Sequence, residues 1–453
     1  MHSRRRGIFG ALLLISFWPT LAPLAQSTEP PTAVLFENVR VFDGKSDRLS
    51  APQNVLVVGN KIQSISTGAI SPPAGSRLTR IAGGGRTLMP GLIDAHTHIV
   101  MSTIPLELAM TADPNYVQLR AVKAADEMLM RGFTAIREVG GNSFGLKRAI
   151  DEGHLRGPRI WPSGATISQT SGHGDFRSPW HDVPRASGTL HWSERAGHTA
   201  IADGVDEVTL RVREQLMRGA SHIKLHAGGG VSTDFDPLDV TQYFEAEINA
   251  AVRAAENWGT YVTVHAYTPR AIQVAVNAGV KSLEHGNLID DATAKLLADK
   301  GVWWCLQPFL DDEDAIPFPA GSPNRRKQLQ MVAGTERAYE LAKKHKVKLA
   351  FGTDTLFDAR LATRQGAQLA KLTRWFTPAE VLKIATGNNG ELLQLSGERS
   401  PYPGKIGVVE TGALADLLLV DGDPTANIRL IEDPAKNFLV IMKDGKLYRN
   451  LLP

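Results

Sequence analysis

The feature that most constrains the fold of this chain is a regular alternation of short apolar segments with amphipathic helical segments. Eight segments have the length and apolar content of buried parallel strands: Leu92–Ile99, Phe133–Val139, Arg159–Ala165, Ser221–Ala227, Tyr261–Ala266, Ser282–His285, Val302–Gln307 and Val347–Asp354. Helical patterns separate most of them, at Val117–Arg131, Val208–Gly219, Glu245–Trp258, Pro269–Ala278, Ala292–Lys300 and Gly334–His345. Eight strand–helix units over roughly 300 residues predict an α/β fold of the (β/α)8 TIM-barrel type.

Both ends of the chain carry a different pattern, of short β segments joined by tight turns. Near the N-terminus such segments flank Gly59-Asn60, and near the C-terminus they flank Asp444-Gly445. Dipeptides of this kind between apolar runs are typical of β-hairpins. We therefore predict a small β-sandwich domain built from residues 26–90 and 396–453, with the TIM-barrel catalytic domain over residues 91–395.

Residues 1–25 have the pattern of a secretory signal peptide. Three arginines at positions 4–6 precede an apolar run from Gly7 to Trp18, and small residues lead to a cleavage site after Ala25. This run is shorter than the roughly 20 residues that cross a bilayer, so an uncleaved anchor is the less favoured alternative. Consecutive arginines are compatible with twin-arginine export as well as general secretion. We expect a periplasmic or secreted protein without stable membrane insertion after cleavage.

The charge balance and the cysteine count exclude several classes of protein. The formal net charge is +3, and the three arginines of the leader account for it, so the rest of the chain is formally neutral. Nucleic acid is therefore not an expected partner, because phosphate binding requires a basic face. A single cysteine, Cys305, excludes a disulfide framework and a cysteine-rich zinc module.

The strongest chemical signal lies in the first strand, which contains Asp94-Ala95-His96-Thr97-His98. Residues i and i+2 of a strand share one face, so the two histidines point the same way at its carboxyl end. A histidine pair alone is a weak signal, but further candidate ligands end later strands: His265, His285 and Asp354. TIM barrels build active sites at that edge. Imidazoles and a carboxylate that meet there suit zinc or a similar transition metal.

Lys224 lies inside the fourth strand, at a position that faces the barrel interior. A lysine there is costly unless it is paired or neutralised. A salt bridge is one interpretation. The other is that the amine has reacted with carbon dioxide, which would make its carbamate an anionic ligand bridging two metal ions.

This set of motifs resembles the metal-dependent amidohydrolase superfamily. The matching stretches are Pro90–His98, Lys224, His265, Glu284-His285-Gly286, Gly352-Thr353-Asp354 and Gly412–Leu419. The binuclear Xaa-Pro dipeptidase branch and ochratoxin-hydrolysing amidases are similar at Gly172-His173-Gly174-Asp175, His222-Ile223-Lys224, Gly228–Val231 and Ala385–Asn388.

The resemblance implies two divalent metal ions, with zinc expected, and Lys224 as N6-carboxylysine. It assigns His96, His98, Lys224 and Asp354 to a more buried ion, and Lys224, His265 and His285 to a more exposed one. Hydrolysis would then use a metal-activated hydroxide, with Asp354 as general base and afterwards general acid. Relatives of this kind are often homo-oligomers, so the resemblance implies self-assembly as well.

Four further residues are candidates for substrate binding: His226, His173, Tyr267 and Arg137. Each has an ordinary alternative. The two histidines and the tyrosine could pack in loops or the core, and Arg137 could pair with the neighbouring Glu138 instead of a substrate carboxylate.

We therefore expect an enzyme that cleaves a small amide, either a dipeptide or an N-acyl amino acid with a free carboxylate. An Xaa-Pro dipeptidase and an ochratoxin A amidase that releases phenylalanine both belong to this class. A lactonase, or another hydrolase of cyclic amides or esters, is the alternative on the same scaffold. A non-catalytic metal-binding periplasmic protein is the remaining alternative, and the complete ligand set with Asp354 argues against it.

Overall fold

The computed structural model describes residues 31–178 and 190–452. The strands in chain order are β1 (Thr32–Val41), β2 (Pro52–Val58), β3 (Lys61–Ser66), β4 (Arg77–Ala82), β5 (Thr87–Pro90), β6 (Leu92–Thr97), β7 (Phe133–Glu138), β8 (Arg159–Pro162), β9 (Thr166–Ser168), β10 (Thr199–Ile201), β11 (Ile223–His226), β12 (Val262–Ala266), β13 (Ser282–His285), β14 (Trp303–Cys305), β15 (Leu349–Ala350), β16 (Leu417–Val420), β17 (Phe438–Lys443) and β18 (Lys446–Asn450). The predicted signal peptide at residues 1–25 lies outside the described residues and stays a prediction.

The helices follow in the same order: α1 (Leu106–Thr111), α2 (Pro114–Met130), α3 (Phe144–Asp151), α4 (Trp192–Arg195), α5 (Gly204–Met217), α6 (Glu245–Trp258), α7 (Pro269–Asn277), α8 (Asp291–Lys300), α9 (Pro323–Ala333), α10 (Thr335–His345), α11 (Gln365–Ala370), α12 (Pro378–Lys383), α13 (Asn389–Leu393) and α14 (Pro434–Asn437). Single tighter or wider helical turns occupy Leu361–Arg364, Lys371–Arg374, Ile384–Asn388, Gln394–Arg399 and Ile428–Ile431. No helix within the described ranges is long and apolar enough to cross a membrane.

Strands from the two ends of the chain form one sheet of eight strands. Its order is β18-β17-β16-β5-β1-β2-β3, and β4 pairs with β1. Both predicted hairpins occur, and Asp444 and Gly445 adopt positive φ angles of 54° and 69°, as such a two-residue turn requires. An apolar core of valine, leucine and isoleucine side chains packs against this sheet. The pairing describes a single mixed sheet, so a two-layer sandwich stays a prediction.

The middle of the chain forms parallel sheets, as predicted for an α/β fold. All eight predicted strand segments contain strands, in a seven-stranded sheet, β10-β9-β11-β12-β13-β14-β15, and a three-stranded sheet, β6-β7-β8. Backbone hydrogen bonds link the two sheets on both sides, from Ala95 N to Phe351 O at 2.9 Å and from Ser221 N to Pro162 O at 2.8 Å. The strand pairing itself leaves two sheets, and a closed eight-stranded barrel stays a prediction.

Several of the predicted strands are shorter than expected. The third, predicted over Arg159–Ala165, is reduced to β8, and β9 begins after Gly164, which adopts a φ of 75°. The eighth is reduced to the two residues of β15, although the chain beyond it still bonds to β6, from Asp354 N to His96 O at 2.9 Å. Asp354 is therefore held at the edge of the sheet by a single backbone contact with a candidate ligand.

The predicted helices all occur, with ends that differ by a few residues, and they cover the parallel strands with a large apolar core. α6 illustrates how the ends are set: the Glu247 carboxylate accepts a hydrogen bond from Phe244 N, and Gly259 ends the helix at a φ of 85°. Both faces of β6 and β7 are buried, as expected for parallel strands beneath helices.

Candidate active site

Four of the histidines predicted as metal ligands lie together at the carboxyl ends of β6, β12 and β13. The ring centroid of His96 is 5.3 Å from that of His98 and 4.9 Å from that of His285. The centroid of His285 is in turn 4.6 Å from that of His265. All four side chains are buried. Parallel strands that are far apart in sequence thus deliver these imidazoles to one place.

The hydrogen bonds of His96 and His98 fix which ring nitrogen faces the cluster. His96 Nδ1 donates to Glu284 Oε2 at 2.7 Å, and His98 Nδ1 donates to the Gly140 carbonyl at 3.0 Å. In a neutral imidazole the other nitrogen is then an acceptor. These Nε2 atoms lie 3.2 and 3.3 Å from Asp354 Oδ1, and His96 Nε2 is buried without a hydrogen-bond partner. Three acceptor atoms converge there, and this donor set fits a bound metal cation.

His265 and His285 are held in the same way. His265 Nε2 donates to the Gly229 carbonyl at 3.0 Å, and His285 Nδ1 donates to Gln307 Oε1 at 2.7 Å. Each ring therefore keeps one acceptor nitrogen. Fixing one nitrogen of a histidine by an acceptor is how proteins orient metal-ligating imidazoles.

The backbone is strained at two of these candidate ligands. His285 has a φ of 72° and Asp354 a φ of 50°, in the left-handed region that residues with a side chain rarely occupy. Such strain costs about 1–3 kcal/mol and is concentrated at functional sites. At Asp354 the strain places the carboxylate beside His96 and His98. Burial alone would raise the pKa of Asp354, but the two neighbouring imidazoles hold this pKa well below its usual range.

Lys224 is buried on β11 and lines the same cavity as His96 and Asp354. In the strand register it is paired with Thr263, and His226, two residues later, is paired with His265. Lys224 therefore lies one layer below the imidazole of His265. Burial lowers the pKa of its amine, because the charged ammonium loses its hydration.

Glu284 is a functional residue that the sequence interpretation missed. Its side chain is fully buried and accepts hydrogen bonds from His96 Nδ1, from Arg137 Nη2 at 2.6 Å and from Thr263 Oγ1. Burial would raise the pKa of Glu284, but the Arg137 guanidinium and His96 hold it well below its usual range. An anionic carboxylate behind a histidine fixes the tautomer and orientation of the ring. The sequence signal that could have identified Glu284 is a carboxylate directly before His285, inside a buried strand.

The prediction that Arg137 contacts substrate is not supported by its position. Its side chain is fully buried beneath the cavity, where Nε donates to the Ala95 carbonyl at 2.6 Å and Nη2 bonds to Glu284. It does not pair with Glu138 either, because successive residues of β7 point to opposite faces. Glu138 instead accepts a hydrogen bond from Ile99 N at 2.7 Å.

His226 and Tyr267 line the cavity close to the histidine cluster. His226 Nε2 lies 2.8 Å from Thr166 Oγ1, and its Nδ1 is buried without a partner. The ring of Tyr267 stacks on that of His285, with centroids 5.0 Å apart. Both therefore lie where a substrate would contact them, and substrate binding by either residue stays a prediction.

His173 lies against the cluster and is held by a second buried carboxylate. Its ring stacks on that of His265, with centroids 4.2 Å apart and planes at 18°. His173 Nδ1 lies 3.0 Å from Asp236 Oδ2, and the same carboxylate accepts from Gly230 N at 2.6 Å and from Thr233 Oγ1. Asp236 thus joins the loop after β9 to the loop after β11. Burial would raise its pKa, but His173 and its other partners hold it below the usual value.

The cavity above these residues is wide and mostly apolar. Measured out to its open mouth it encloses about 1200 Å³. Its aromatic walls are formed by Phe176, Phe309, Phe318 and Phe357. Asp314 and Lys371, also in the lining, form an ion pair of 2.7 Å, and each has a second partner, Arg364 for Asp314 and Asp312 for Lys371.

Residues 87–448 match the family model described as "Amidohydrolase family". The chain belongs to the amidohydrolase family. An ochratoxinase from Aspergillus niger is 30% identical over 440 residues, which cover 94% of this chain and 88% of that protein. Since the family and its relatives agree, this amidohydrolase is a hydrolase that acts on amide bonds.

Solved structures of amidohydrolases are similar over nearly the whole described fold. A prolidase complexed with N-methylphosphonate-L-proline is 32% identical, with a TM-score of 0.83. The match covers 92% of this chain and 100% of the prolidase chain. The Aspergillus niger ochratoxinase is 25% identical in structural alignment, with a TM-score of 0.77, covering 93% of this chain and 96% of the other. The suspected branch, with Xaa-Pro dipeptidases and ochratoxin-hydrolysing amidases, is confirmed.

Proposed function

We propose that this amidohydrolase is an exported binuclear metal hydrolase. It cleaves the amide bond of small N-acyl amino acids that carry a free carboxylate, and ochratoxin A with release of phenylalanine is the leading substrate. The observation that carries the proposal is the convergence of His96 Nε2 and His98 Nε2 on Asp354 Oδ1, at 3.2 and 3.3 Å, in rings whose Nδ1 atoms have other hydrogen-bond partners.

Six residues would hold two divalent ions, with zinc as the first choice. His96, His98, Asp354 and Lys224 would hold the more buried ion, and Lys224, as N6-carboxylysine, would hold the more exposed ion together with His265 and His285. The lowered pKa of Lys224 supports this, because the uncharged amine is the form that reacts with carbon dioxide. When bound, such ions activate water and polarise the scissile carbonyl.

The chain itself supplies the proton transfer. Asp354 has a pKa well below its usual range, so its carboxylate is ionised at neutral pH. Its Oδ1 faces His96 and His98, which leaves Oδ2 to take the proton of the attacking water and to pass it to the departing amine. His226, Tyr267 and His173 line the cavity around this point and orient the substrate.

The cavity wall favours an aromatic acyl group. Four phenylalanines and several aliphatic side chains line it, and aromatic side chains make favourable stacked or edge-to-face contacts with another aromatic ring. Xaa-Pro dipeptides are the second candidate substrate class, which the similarity to a prolidase complexed with N-methylphosphonate-L-proline favours. A lactonase is the remaining alternative on this scaffold.

A substrate panel tests the proposal. Metal-replete protein is assayed with ochratoxin A, N-acyl aromatic amino acids, Xaa-Pro dipeptides and lactones, and the substrates are ranked by kcat/KM. We expect the aromatic N-acyl amino acids to rank first. A lactone at the head of the ranking, or no cleavage of any amide, would overturn the proposal.

The variant Asp354→Asn separates catalysis from folding. We expect kcat to fall by at least about 1000-fold while the protein remains folded and retains its metal, because the proton acceptor is gone. Asp299→Asn is the matched control, since Asp299 lies on α8 with its side chain exposed and forms an ion pair with Lys295. It should retain wild-type activity.

Export, assembly and domain limits belong to the same proposal. We propose cleavage after Ala25, a closed TIM barrel over residues 91–395, a β-sandwich of residues 26–90 and 396–453, and a homo-oligomeric state. N-terminal sequencing of the protein from a periplasmic extract tests the cleavage. Light scattering of the purified protein tests the assembly, and a monomer would contradict it.

A further inference from the structure

His198 is a buried histidine in the wall of the catalytic cavity that the proposed mechanism does not use. It lies directly before β10 and is 2% exposed. Its backbone is tied at both ends, because N donates to Ser193 O at 2.8 Å and O accepts from Thr166 N at 3.1 Å. Its ring lines the catalytic cavity together with Thr199 and Phe176. The backbone therefore fixes where this ring stands.

The ring of His198 makes no hydrogen bond. Nδ1 and Nε2 are both buried without a partner among residues 31–178 and 190–452. Burial lowers the pKa of His198 to about 4, so that at neutral pH the ring is uncharged, with one N–H donor and one acceptor nitrogen. Leaving both atoms unpaired in the folded protein is costly, and a phenylalanine would fill the space without that cost.

His198 stands close to the candidate metal centre. Thr199 is paired with Thr166 in the parallel register of β10 and β9, one strand spacing of about 4.8 Å apart. Thr166 Oγ1 in turn lies 2.8 Å from His226 Nε2. Since His198 O accepts from Thr166 N, His198 belongs to the same part of the cavity wall as Thr166 and His226.

His198 also belongs to the lining of a second, open cavity. Residues of α2 and α3 such as Leu119 and Leu146 form other parts of that lining. His198 is thus shared by the walls of both cavities.

We propose that His198 is a specificity-determining residue that binds a neutral hydroxyl or carbonyl substituent on the aromatic acyl group of the substrate. The inference rests on the proposed function, since it places an acyl group in the cavity. The preferred acyl group is an aromatic ring that bears an uncharged hydrogen-bonding substituent.

The test compares N-benzoyl-L-phenylalanine with its 2-, 3- and 4-hydroxybenzoyl counterparts on the metal-replete enzyme. We expect at least one hydroxy isomer to exceed the benzoyl compound in kcat/KM by about tenfold, the ratio that about 1.4 kcal/mol of hydrogen bonding produces. His198→Phe should abolish this preference while it retains cleavage of the benzoyl compound. His198→Gln, which keeps a donor and an acceptor, should restore part of it.

A binding measurement separates failure of this inference from failure of the proposed function. The Kd values of benzoate and the three hydroxybenzoates are measured by calorimetry on wild-type and His198→Phe protein. If no amide is cleaved but a hydroxybenzoate binds more tightly to the wild type alone, the amidase proposal fails and the recognition by His198 stands. If neither amides nor acids show a preference that depends on His198, the inference is overturned.

The stability of His198→Phe gives an independent readout. If the imidazole is unpaired until substrate binds, the variant should have an equal or higher Tm. A fall of several degrees would show that the ring serves the fold, and would overturn the inference.

Discussion

Two carboxylate–histidine pairs support the site, and they are built from different parts of the molecule. The inner pair, Glu284–His96, joins two strands and is backed by Arg137, whose side chain is 0% exposed. The outer pair, Asp236–His173, joins two loops and is backed by Lys327 on α9, whose side chain is 11% exposed. A carboxylate thus orients a histidine once in the interior of the parallel strands and once among the loops above them.

Under the proposed function, the inner pair supports a metal ligand and the outer pair supports a substrate contact. In the inner pair every partner comes from a strand, so the orientation of His96 is set by the fold before any ligand binds. In the outer pair the partners come from loops, which vary and rearrange more readily than strands. We expect damage to the inner pair to cost mainly stability and metal, and damage to the outer pair to cost mainly turnover, with a smaller loss of stability.

Replacement of Arg137 by methionine should have the largest effect on folding. It leaves Glu284 buried without its cation, and breaking one partner of a buried ion pair costs about 3–5 kcal/mol. Urea denaturation at pH 7 measures the free energy of unfolding. A loss below about 1 kcal/mol would mean that Glu284 does not depend on the guanidinium, and the contrast with the outer pair would disappear.

Glu284→Gln should weaken metal binding. The glutamine amide is neutral, so it no longer gives His96 Nδ1 an anionic hydrogen-bond acceptor. Loss of such a supporting partner typically reduces metal affinity about 10–100-fold. Competition with a chelator on folded protein measures this affinity. Asp236→Asn should bind metal as tightly as wild type, and equal weakening in both variants would contradict the division between the pairs.

Asp236→Asn should lower kcat/KM by about tenfold with the metal content unchanged, because the imidazole of His173 loses the anion that orients it. Kinetics and metal analysis are performed on the same preparation. Asp239→Asn is the matched control, since Asp239 is an exposed carboxylate three residues along the same loop. A variant at Asp236 with full activity would show that His173 needs no support.

Lys327→Met should have the smallest effect. Lys327 Nζ donates to the carbonyl oxygens of Thr233 and Asp236 and lies 3.5 Å from Asp236 Oδ1, at a partly solvated position. Loss of such bonds costs about 1 kcal/mol. The same urea titration compares it with Arg137→Met, and equal losses would contradict the expected ranking.

Helices and strands were predictable where hydrophobic periodicity and apolar content determine the secondary structure. The segment Glu245–Trp258 is helical over its predicted bounds, because acidic residues begin it and a glycine follows its end. The elements that sequence missed depend on tertiary contacts. β10, for example, is only three residues long, and it exists because Thr199–Ile201 pairs with β9.

The candidate ligands were predictable because each of them ends a recognisable strand. The residues behind them were not, since a supporting residue is defined by what it contacts across the fold. Arg137 and Glu284 are 147 positions apart, and only the observed packing shows that they meet. His198 gave no signal at all, because it lies in a long connection whose pairing with β9 could not be foreseen.

The pairing of β5 with β16 has a consequence for biosynthesis. Thr87 Oγ1 donates to the carbonyl of Gly422, 335 positions later, and the strand that carries His96 begins directly after β5. The N-terminal half therefore leaves the ribosome long before its partner strand is available. Non-local pairing of this kind slows folding and keeps apolar strands exposed. A premature stop codon before residue 417 would remove β16 and with it the strand that pairs with β5.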